Sequence, residues 1–303
     1  MIVTAIDRPT LARIEAAAKA GEPMRLSVSM EAVSKSARAL GLRIDELVPF
    51  FHAVDDPALR PFLAPEARGS RVAVSVVIPT HRHAPIGLDA FGLQDVETEV
   101  IVLANGSADV GVRVPWEGHG ATRNRGVALA RFPYVCFSVD DALPLGAGFL
   151  RTMVETLETS GADAVTARQV PWPTADPVTR LRLRTWTPPS ETTHAPLDNV
   201  CALYRREALE RDPFDPVPIA EDWLWGRRHR VGYAPGATIA HSHPRGFRDT
   251  YARTRDIHRE RIRAGEVPRV PDAGSLLRAI PSTLGRDMPG ALGELFGQWA
   301  ATR

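Results

Sequence analysis

Val135-Cys136-Phe137-Ser138-Val139-Asp140-Asp141 joins a buried strand to a polar end. Five apolar or small residues in a row read as the strand, and two adjacent carboxylates stand at its C-terminus. Open α/β sheets bind ligands at the carboxyl ends of their strands. Paired carboxylates there suit a hard divalent cation, held by oxygen ligands beside a substrate phosphate. The plainer reading is a strand that ends in a solvated Asp-Asp turn, with Pro144 following. A second acidic pair, Glu221-Asp222, and a His-x-His, His241 and His243, come later in order and favour the metal reading.

Outward from this stretch, Val72 to Ile78 is an apolar, β-branched run closed by Pro79-Thr80. Glu99 to Leu103 is another, closed by Asn105-Gly106, and helical patterns lie between the runs. Short buried strands that alternate with helices predict a parallel, doubly wound α/β sheet. Pro171 to Pro196 is Pro-rich, contains Trp172 and Trp186, and reads as a long loop over a site. Val200 to Tyr204 then resumes strand character. From His243 the chain is helical and basic, with seven arginines against three acids over residues 245–263. The tail from Leu276 to Trp299 is weakly amphipathic and broken by Pro281 and Pro289. No internal repeat is evident.

Residues 1–70 read as helical. Leu11, Ile14 and Ala18 share one face, with Gly21 as a stop. Met30, Val33, Ala37 and Leu40 repeat the pattern up to Gly41, and Ile44, Leu47 and Phe51 suggest a third short helix. The outline from Met30 to Leu47 is one that DNA-binding modules share. Its mixed charge favours a packing or oligomerisation appendage. The expected organisation is a helical N-terminal appendage over 1–70, a catalytic domain over 71–245 and a helical C-terminal segment over 246–303.

The 303 residues are 44% hydrophobic and 24% charged, which fits a soluble globular chain. A net charge of +1 gives no bulk attraction to nucleic acid or to an anionic membrane, and no nucleic-acid partner is expected. Cys136 and Cys201 sit in apolar runs and read as buried free thiols, which fits a reducing cytoplasm. No basic segment followed by an apolar run opens the chain, so no signal peptide is expected. No stretch approaches the ~18 apolar residues of a membrane span.

Four pieces line up in sequence. Ser75 to Thr80 goes with Glu99 to Asp109, and Gly120 to Gly126 leads into Asp140-Asp141. Asn199 to Arg206 follows. Ile219-Ala220-Glu221-Asp222-Trp223 then precedes Gly232-Tyr233 and Ala240-His241-Ser242-His243. In this order they resemble the family 2 glycosyltransferases over roughly residues 72–265, and most of all a bacterial branch that includes rhamnosyltransferases. The resemblance implies the GT-A fold, Rossmann-like with a mostly parallel sheet flanked by helices. It also implies inverting transfer of a hexosyl or deoxyhexosyl unit from a nucleotide-diphosphate sugar. The acceptor would be a carbohydrate, a lipid-linked molecule or a small molecule.

The residue types suit that chemistry. Breaking a sugar–phosphate bond leaves negative charge on the diphosphate, and a bound cation stabilises it. Asp140-Asp141 matches the family's DxD-type motif. By resemblance Asp141 is the ligand of Mn²⁺ or Mg²⁺, and Asp140 contacts the ribose or helps to hold the ion. Val139 replaces a further Asp of the commoner form. His241 resembles a late metal- or phosphate-binding histidine, with His243 as the alternative, and a hydrogen-bonded surface turn is the plainer reading of both. Glu221-Asp222 fits the family's acidic pair at a helix start, where the dipole favours a carboxylate. Asp222 would be the general base and Glu221 would orient substrate. A single base without a protein nucleophile implies inversion at the anomeric carbon.

Pro79, Thr80 and Asn105 are expected to line the nucleotide pocket. Ala104 stands where the family has a base-reading Asp, and Asn105 can substitute by hydrogen bonding. Arg123 and Asn124, near a helix start, suit contact with base or phosphate, or act as a plain helix cap. Arg205-Arg206 either binds phosphate or brackets a helix.

Two other readings compete. A nucleotidyltransferase would need a glycine cluster after the first strand, and Thr80-His81-Arg82-His83 has none. A non-catalytic binding or scaffold protein is motivated by Ala104 and Val139, and opposed by Asp141, Asp222 and His241. The helical appendages are expected to pack on the catalytic domain or form a homodimer. The arginine-rich run at 245–263 offers a peripheral contact with a phosphorylated lipid at the inner face of the membrane.

Overall fold

The computed structural model describes residues 72–81, 83–172, 196–243 and 247–266, with positions 175, 179, 183, 185–190, 296–298, 300 and 301. The helices expected over 1–70 and most of the tail from Leu276 lie outside the described residues.

Eight strands form one sheet: β1 (Ala73–Thr80), β2 (Glu97–Ala104), β3 (Val112–Arg113), β4 (Tyr134–Ser138), β5 (Leu143–Leu145), β6 (Ala164–Val170), β7 (Cys201–Arg205) and β8 (Val231–Ala240). Their order is β3-β2-β1-β4-β7-β6-β8-β5. The pairs β1–β2, β1–β4, β2–β3 and β6–β8 are parallel. β7 runs antiparallel to both β4 and β6, and β5 antiparallel to β8. Six of the eight strands thus share one direction, so the sheet is mostly parallel as expected, with β5 and β7 running against the rest. The long connection after β6 returns the chain to the carboxyl edge, so β7 starts there and runs the opposite way.

Among the described residues, the helices with defined bounds that flank the sheet are α1 (Leu88–Gly92), α2 (His119–Leu129), α3 (Phe149–Ser160), α4 (Arg206–Arg211), α5 (Glu221–Gly226) and α6 (Phe247–Arg263). Alternation along β1 explains the layers, because successive side chains point to opposite faces. Val74, Val76 and Ile78 join Phe91 of α1 and Phe149, Leu150, Met153 and Leu157 of α3 on one face. Val77 joins Val127 of α2, Phe137, Tyr204, Phe214 and Trp225 on the other. Both faces are covered, which is why β1 reads as a continuous apolar run. Each such side chain contributes ~1.5–3 kcal/mol when fully buried. α3 stops at Gly161, whose φ of 60° is the left-handed conformation that favours glycine.

Cys136 and Cys201 are buried and unlinked, with their sulfurs 3.7 Å apart. Arg205 and Arg206 bracket the start of α4. Arg205 binds Glu158 and the carbonyl of Ala162, while Arg206 binds Glu210 and the carbonyl of Ala130. Arg205 pairs in register with Tyr134 at the amino end of β4, the opposite edge from Asp140, so the phosphate-binding reading of this pair does not hold. Among the described residues, no helix is long and apolar enough to cross a membrane.

α2 approaches the sheet closely at Gly126, where a Cβ would stand 2.3 Å from Cγ1 of Val77. Gly126→Ala should therefore overpack this layer and cost ~1–3 kcal/mol. Urea unfolding measures the loss, and an unchanged midpoint would contradict the packing described.

Candidate active site

β1, β2, β4, β6 and β8 share one direction, so Thr80, Asn105, Asp140, Asp141 and His241 fall on one edge. β5 folds back against β8, with Leu143 opposite Ala240. This pairing brings the turn after β4 to the residues after β8. His243 Nε2 lies 3.0 Å from Oδ2 of Asp141, and His241 Nε2 lies 3.5 Å from its Oδ1. The two Nε2 atoms are 3.1 Å apart. Ligands ~2.1 Å from one ion sit about this far from one another in tetrahedral or octahedral geometry. One carboxylate and two imidazole nitrogens, converging from separate strands, thus fit a divalent cation. Burial opposes the charge on Asp141. The hydrogen bond from His243 and the charges of His241 and His243 outweigh it and hold the carboxyl below its usual range.

Beside this trio, the Thr80 hydroxyl is 2.8 Å from Oδ2 of Asp140 and 2.5 Å from the carbonyl of His83. Thr80 is buried, so it acts by positioning Asp140 rather than by meeting a nucleotide directly. The Asn105 amide nitrogen of the backbone donates to the Thr80 carbonyl, and those of Ser107 and Ala108 donate to the His81 carbonyl. Pro79 and Asn105 are partly exposed at this rim, and the Asn105 side chain has no partner among the described residues. Ala104 is buried at the end of β2.

The second acidic pair opens α5, after Ala220 in a left-handed conformation with φ 69°. A non-glycine residue held there is strained, and such strain clusters at functional positions. Trp225 anchors the helix. It is fully buried, its indole donates to the Asp212 carbonyl at 2.7 Å, and it stacks on His229 at 3.7 Å.

Glu221 and Asp222 are treated very differently. Glu221 is buried, paired with Arg123 at 2.8 Å and hydrogen-bonded by Asn199 Nδ2 at 3.1 Å. Tyr204 in turn donates to Asn199 Oδ1 at 2.7 Å. Against the cost of burial, Arg123 and the hydrogen bond from Asn199 hold Glu221 ionised. The sequence expects Glu221 to orient substrate; the residue is buried, with Arg123 and Asn199 both on its Oε1. Asp222 is partly exposed and accepts from the backbone N–H of Asn199 at 3.0 Å and of Trp223 at 2.7 Å. Burial, then the charges of Glu221 and Asp198, raise its pKa to about 7. A carboxyl poised there can accept a proton at neutral pH.

Arg123 and Asn124 also depart from expectation. The Arg123 guanidinium is 4% exposed, bound to Glu221 and 3.3 Å from Nδ1 of His119, so it is closed to a donor nucleotide. Burial, then the charge of Arg123, lower His119 to about 4, leaving that imidazole neutral. The Asn124 side chain exchanges two hydrogen bonds with the Phe214 backbone, at 2.9 and 3.0 Å, and straps two loops together.

A cleft of about 290 Å³ opens beside the two histidines, lined among others by His241, His243, Asp198, Trp186 and Arg253. α6 forms one wall. It is fastened to α5 through Trp223, whose ring lies 4.7 Å from the Arg261 guanidinium and 4.9 Å from that of Arg227. Three of the seven arginines in the basic run expected to reach a lipid are paired, Arg255 with Asp256, Arg261 with Glu266 and Arg263 with Glu260. Asp198, Asn199 and Arg253 have no local signal for a site role; only Asn199 opens a run that the sequence singled out.

Neither a protein-family model nor a curated protein sequence matches the chain. Among solved structures, it is similar to a mannosyltransferase from Pyrobaculum calidifontis in complex with GDP-Man and Mn²⁺. That likeness has 17% identity, a TM-score of 0.57, and covers 77% of this chain and 87% of the other. The fold is GT-A. Weaker likenesses are to glucosyl-3-phosphoglycerate synthase from Mycobacterium tuberculosis with Mg²⁺ and UDP, at 19% identity, TM-score 0.48, and 67% and 82% coverage. TarS from S. aureus with UDP-GlcNAc follows at 16% identity, TM-score 0.44, and 69% and 73% coverage.

Removing one partner of a buried ion pair strands the other charge, at ~3–5 kcal/mol. Arg123→Met should lower unfolding free energy by about that amount, and Arg123→Met with Glu221→Leu should recover much of it. A negligible loss in the single variant, read by urea titration, would show that the pair does not hold this region.

Proposed function

We propose that the chain is a metal-dependent, inverting glycosyltransferase of the family 2 type. It would move a hexosyl or deoxyhexosyl unit from a nucleotide-diphosphate sugar to an acceptor hydroxyl. The observation that carries this reading is a cation-binding trio whose histidines line a cleft, together with a carboxyl of pKa about 7, Asp222, hydrogen-bonded to Asn199 next to Asp198 of the same lining. The GT-A sheet beneath it supports the reading, as does the similar mannosyltransferase, which binds GDP-Man and Mn²⁺.

Asp141, His241 and His243 would hold the ion. Two imidazoles beside one carboxylate suit Mn²⁺ better than Mg²⁺, which prefers oxygen ligands and water. When bound, the ion supplies positive charge opposite the diphosphate leaving group. Asp140, fixed by Thr80, would meet the ribose, and the Asn105 amide would meet the base. With Ala104 in place of a carboxylate, base reading rests on neutral hydrogen bonding.

Asp222 accepts the acceptor's hydroxyl proton while that oxygen bonds to the anomeric carbon. The carbon–oxygen bond to the diphosphate breaks, and its electron pair leaves with the diphosphate. Attack from the face opposite the leaving group inverts the anomeric centre. Glu221 serves as a fixed buried charge that keeps the proton affinity of Asp222 high. A scaffold protein would have no use for such a carboxyl.

Asp222→Asn should lower turnover by about two to four orders of magnitude while donor binding persists. The base works when deprotonated, so wild-type kcat/KM should rise with pH through about 7, and the variant should lose this limb. Folding raises the Asp222 pKa from 3.8, so its contribution to stability is complete below 3.8 and is lost as pH rises through about 7. NMR of the product should show an inverted anomer. Wild-type turnover in Asp222→Asn, or a retained anomer, would overturn the mechanism.

A further inference from the structure

We propose that Ser242, the middle residue of His241-Ser242-His243, is a positioning residue of the metal site: its hydroxyl, held by the Trp172 backbone, keeps both imidazoles aimed at Asp141. This rests on the metal-dependent reading above and names what fixes its ligands.

The two histidines serve an ion only together. Their Nε2 atoms are 3.1 Å apart and lie 3.5 and 3.0 Å from the two oxygens of Asp141. The rings meet edge to face, with centroids 4.8 Å apart. Side chains two residues apart share a face in an extended chain and diverge in a helical turn. The course of the backbone through Ser242 therefore decides whether both rings reach one carboxylate. Yet the regular ladder stops before the second histidine. Val170 opposite Ala240 is the last register pair of β6 with β8. One further backbone bond, from the His241 N–H to the Val170 carbonyl at 2.9 Å, holds the first histidine.

Beyond that point the side chain of Ser242 takes over. The Trp172 backbone N–H donates to the Ser242 hydroxyl oxygen at 3.1 Å. Trp172 follows β6 as Ser242 follows β8, each two residues past the last register pair. The bond thus carries the β6–β8 pairing one step further, with a hydroxyl in place of a carbonyl. Its mount is rigid, because Trp172 is only 1% exposed. Ser242 is itself buried, whereas the His243 side chain is 37% exposed and has less packing to fix it. A buried backbone N–H needs an acceptor, and at this position only the residue between the two ligands supplies it. Groups behind metal ligands set their orientation, and losing one typically costs about 10–100-fold in metal affinity. Ser242 acts in this way through the backbone that both histidines share.

Calorimetric titration of the full chain with MnCl₂, alone and with UDP or GDP present, tests this. Ser242→Ala should weaken Mn²⁺ binding about 10–100-fold, and Ser242→Gly, which also frees the backbone, at least as much. Ser242→Thr keeps the hydroxyl on a residue that favours extended chain and should restore most of the affinity. His243→Ala, which removes a ligand outright, should lose more than Ser242→Ala. Melting of the metal-free samples is the control, since a purely structural serine would lower the midpoint and leave the Mn²⁺ affinity of the folded chain unchanged. Wild-type affinity in Ser242→Ala, or Ser242→Thr binding as weakly as Ser242→Ala, overturns the inference. The nucleotide arms separate the two proposals. Mn²⁺ affinity that depends on Ser242, without any nucleotide binding, supports the inference and removes the glycosyltransferase reading. Nucleotide binding that needs Mn²⁺, with unchanged Mn²⁺ affinity in Ser242→Ala, sinks the inference alone. No Mn²⁺ binding under any of these conditions, or binding that survives His243→Ala, overturns both.

Discussion

The common direction of β1, β2, β4, β6 and β8 is the constraint from which the site follows. Parallel strands need covered faces and long crossovers. The two core layers around β1 supply the cover. Once β4 and β8 point the same way, Asp141 and His241 must emerge on the same edge, although 100 residues separate them in the chain. The short antiparallel pairing of β5 with β8 then closes the remaining gap. Reversing either strand would send one member of the trio to the far side of the sheet. The stability of the hydrophobic layers and the geometry of the polar edge are therefore one problem.

Electrostatics divides the edge into two regions. Around Asp141 two histidines favour the ionised carboxyl. Around Asp222 burial and two neighbouring carboxylates disfavour it. The difference comes from what lies underneath. Arg123 and Asn199 both bind Oε1 of Glu221, so that carboxylate stays charged within the protein and acts on Asp222 from below. A buried ion pair is weak support for stability in itself. Here it holds a negative charge where water would otherwise screen it, and thereby keeps a neighbouring proton acceptor near neutrality.

Some of this was legible in the residues. The run from Val135 to Asp141 is local: apolar residues make the strand, and the carboxylates cannot follow them into the core. Asp141, His241 and His243 do converge, and Asp222 does open a helix. Strand direction was not legible at β7, because alternation and β-branching are the same in either direction. Arg123 and Asn124 look like polar residues at a helix start. Whether such residues face a ligand or the interior depends on partners such as Glu221 and Phe214, about 90 residues further on. Thr80 is similar, since its partner Asp140 lies 60 residues away. Asp198 gains its place from Gln169, 29 residues away, and Arg253 from the docking of α6 through Trp223, which no local pattern encodes.

On the proposed function, the edge formed by Asp141, His241 and His243 receives a nucleoside diphosphate together with a divalent ion. Melting temperature, measured with UDP, GDP and dTDP in Mn²⁺ or in EDTA, tests it most directly, because a ligand that binds only the folded state raises the midpoint. The account predicts that at least one nucleotide raises the midpoint only when Mn²⁺ is present, and that Asp141→Ala abolishes the rise. No Mn²⁺-dependent rise with any of the three, or the same rise in Asp141→Ala, would contradict it.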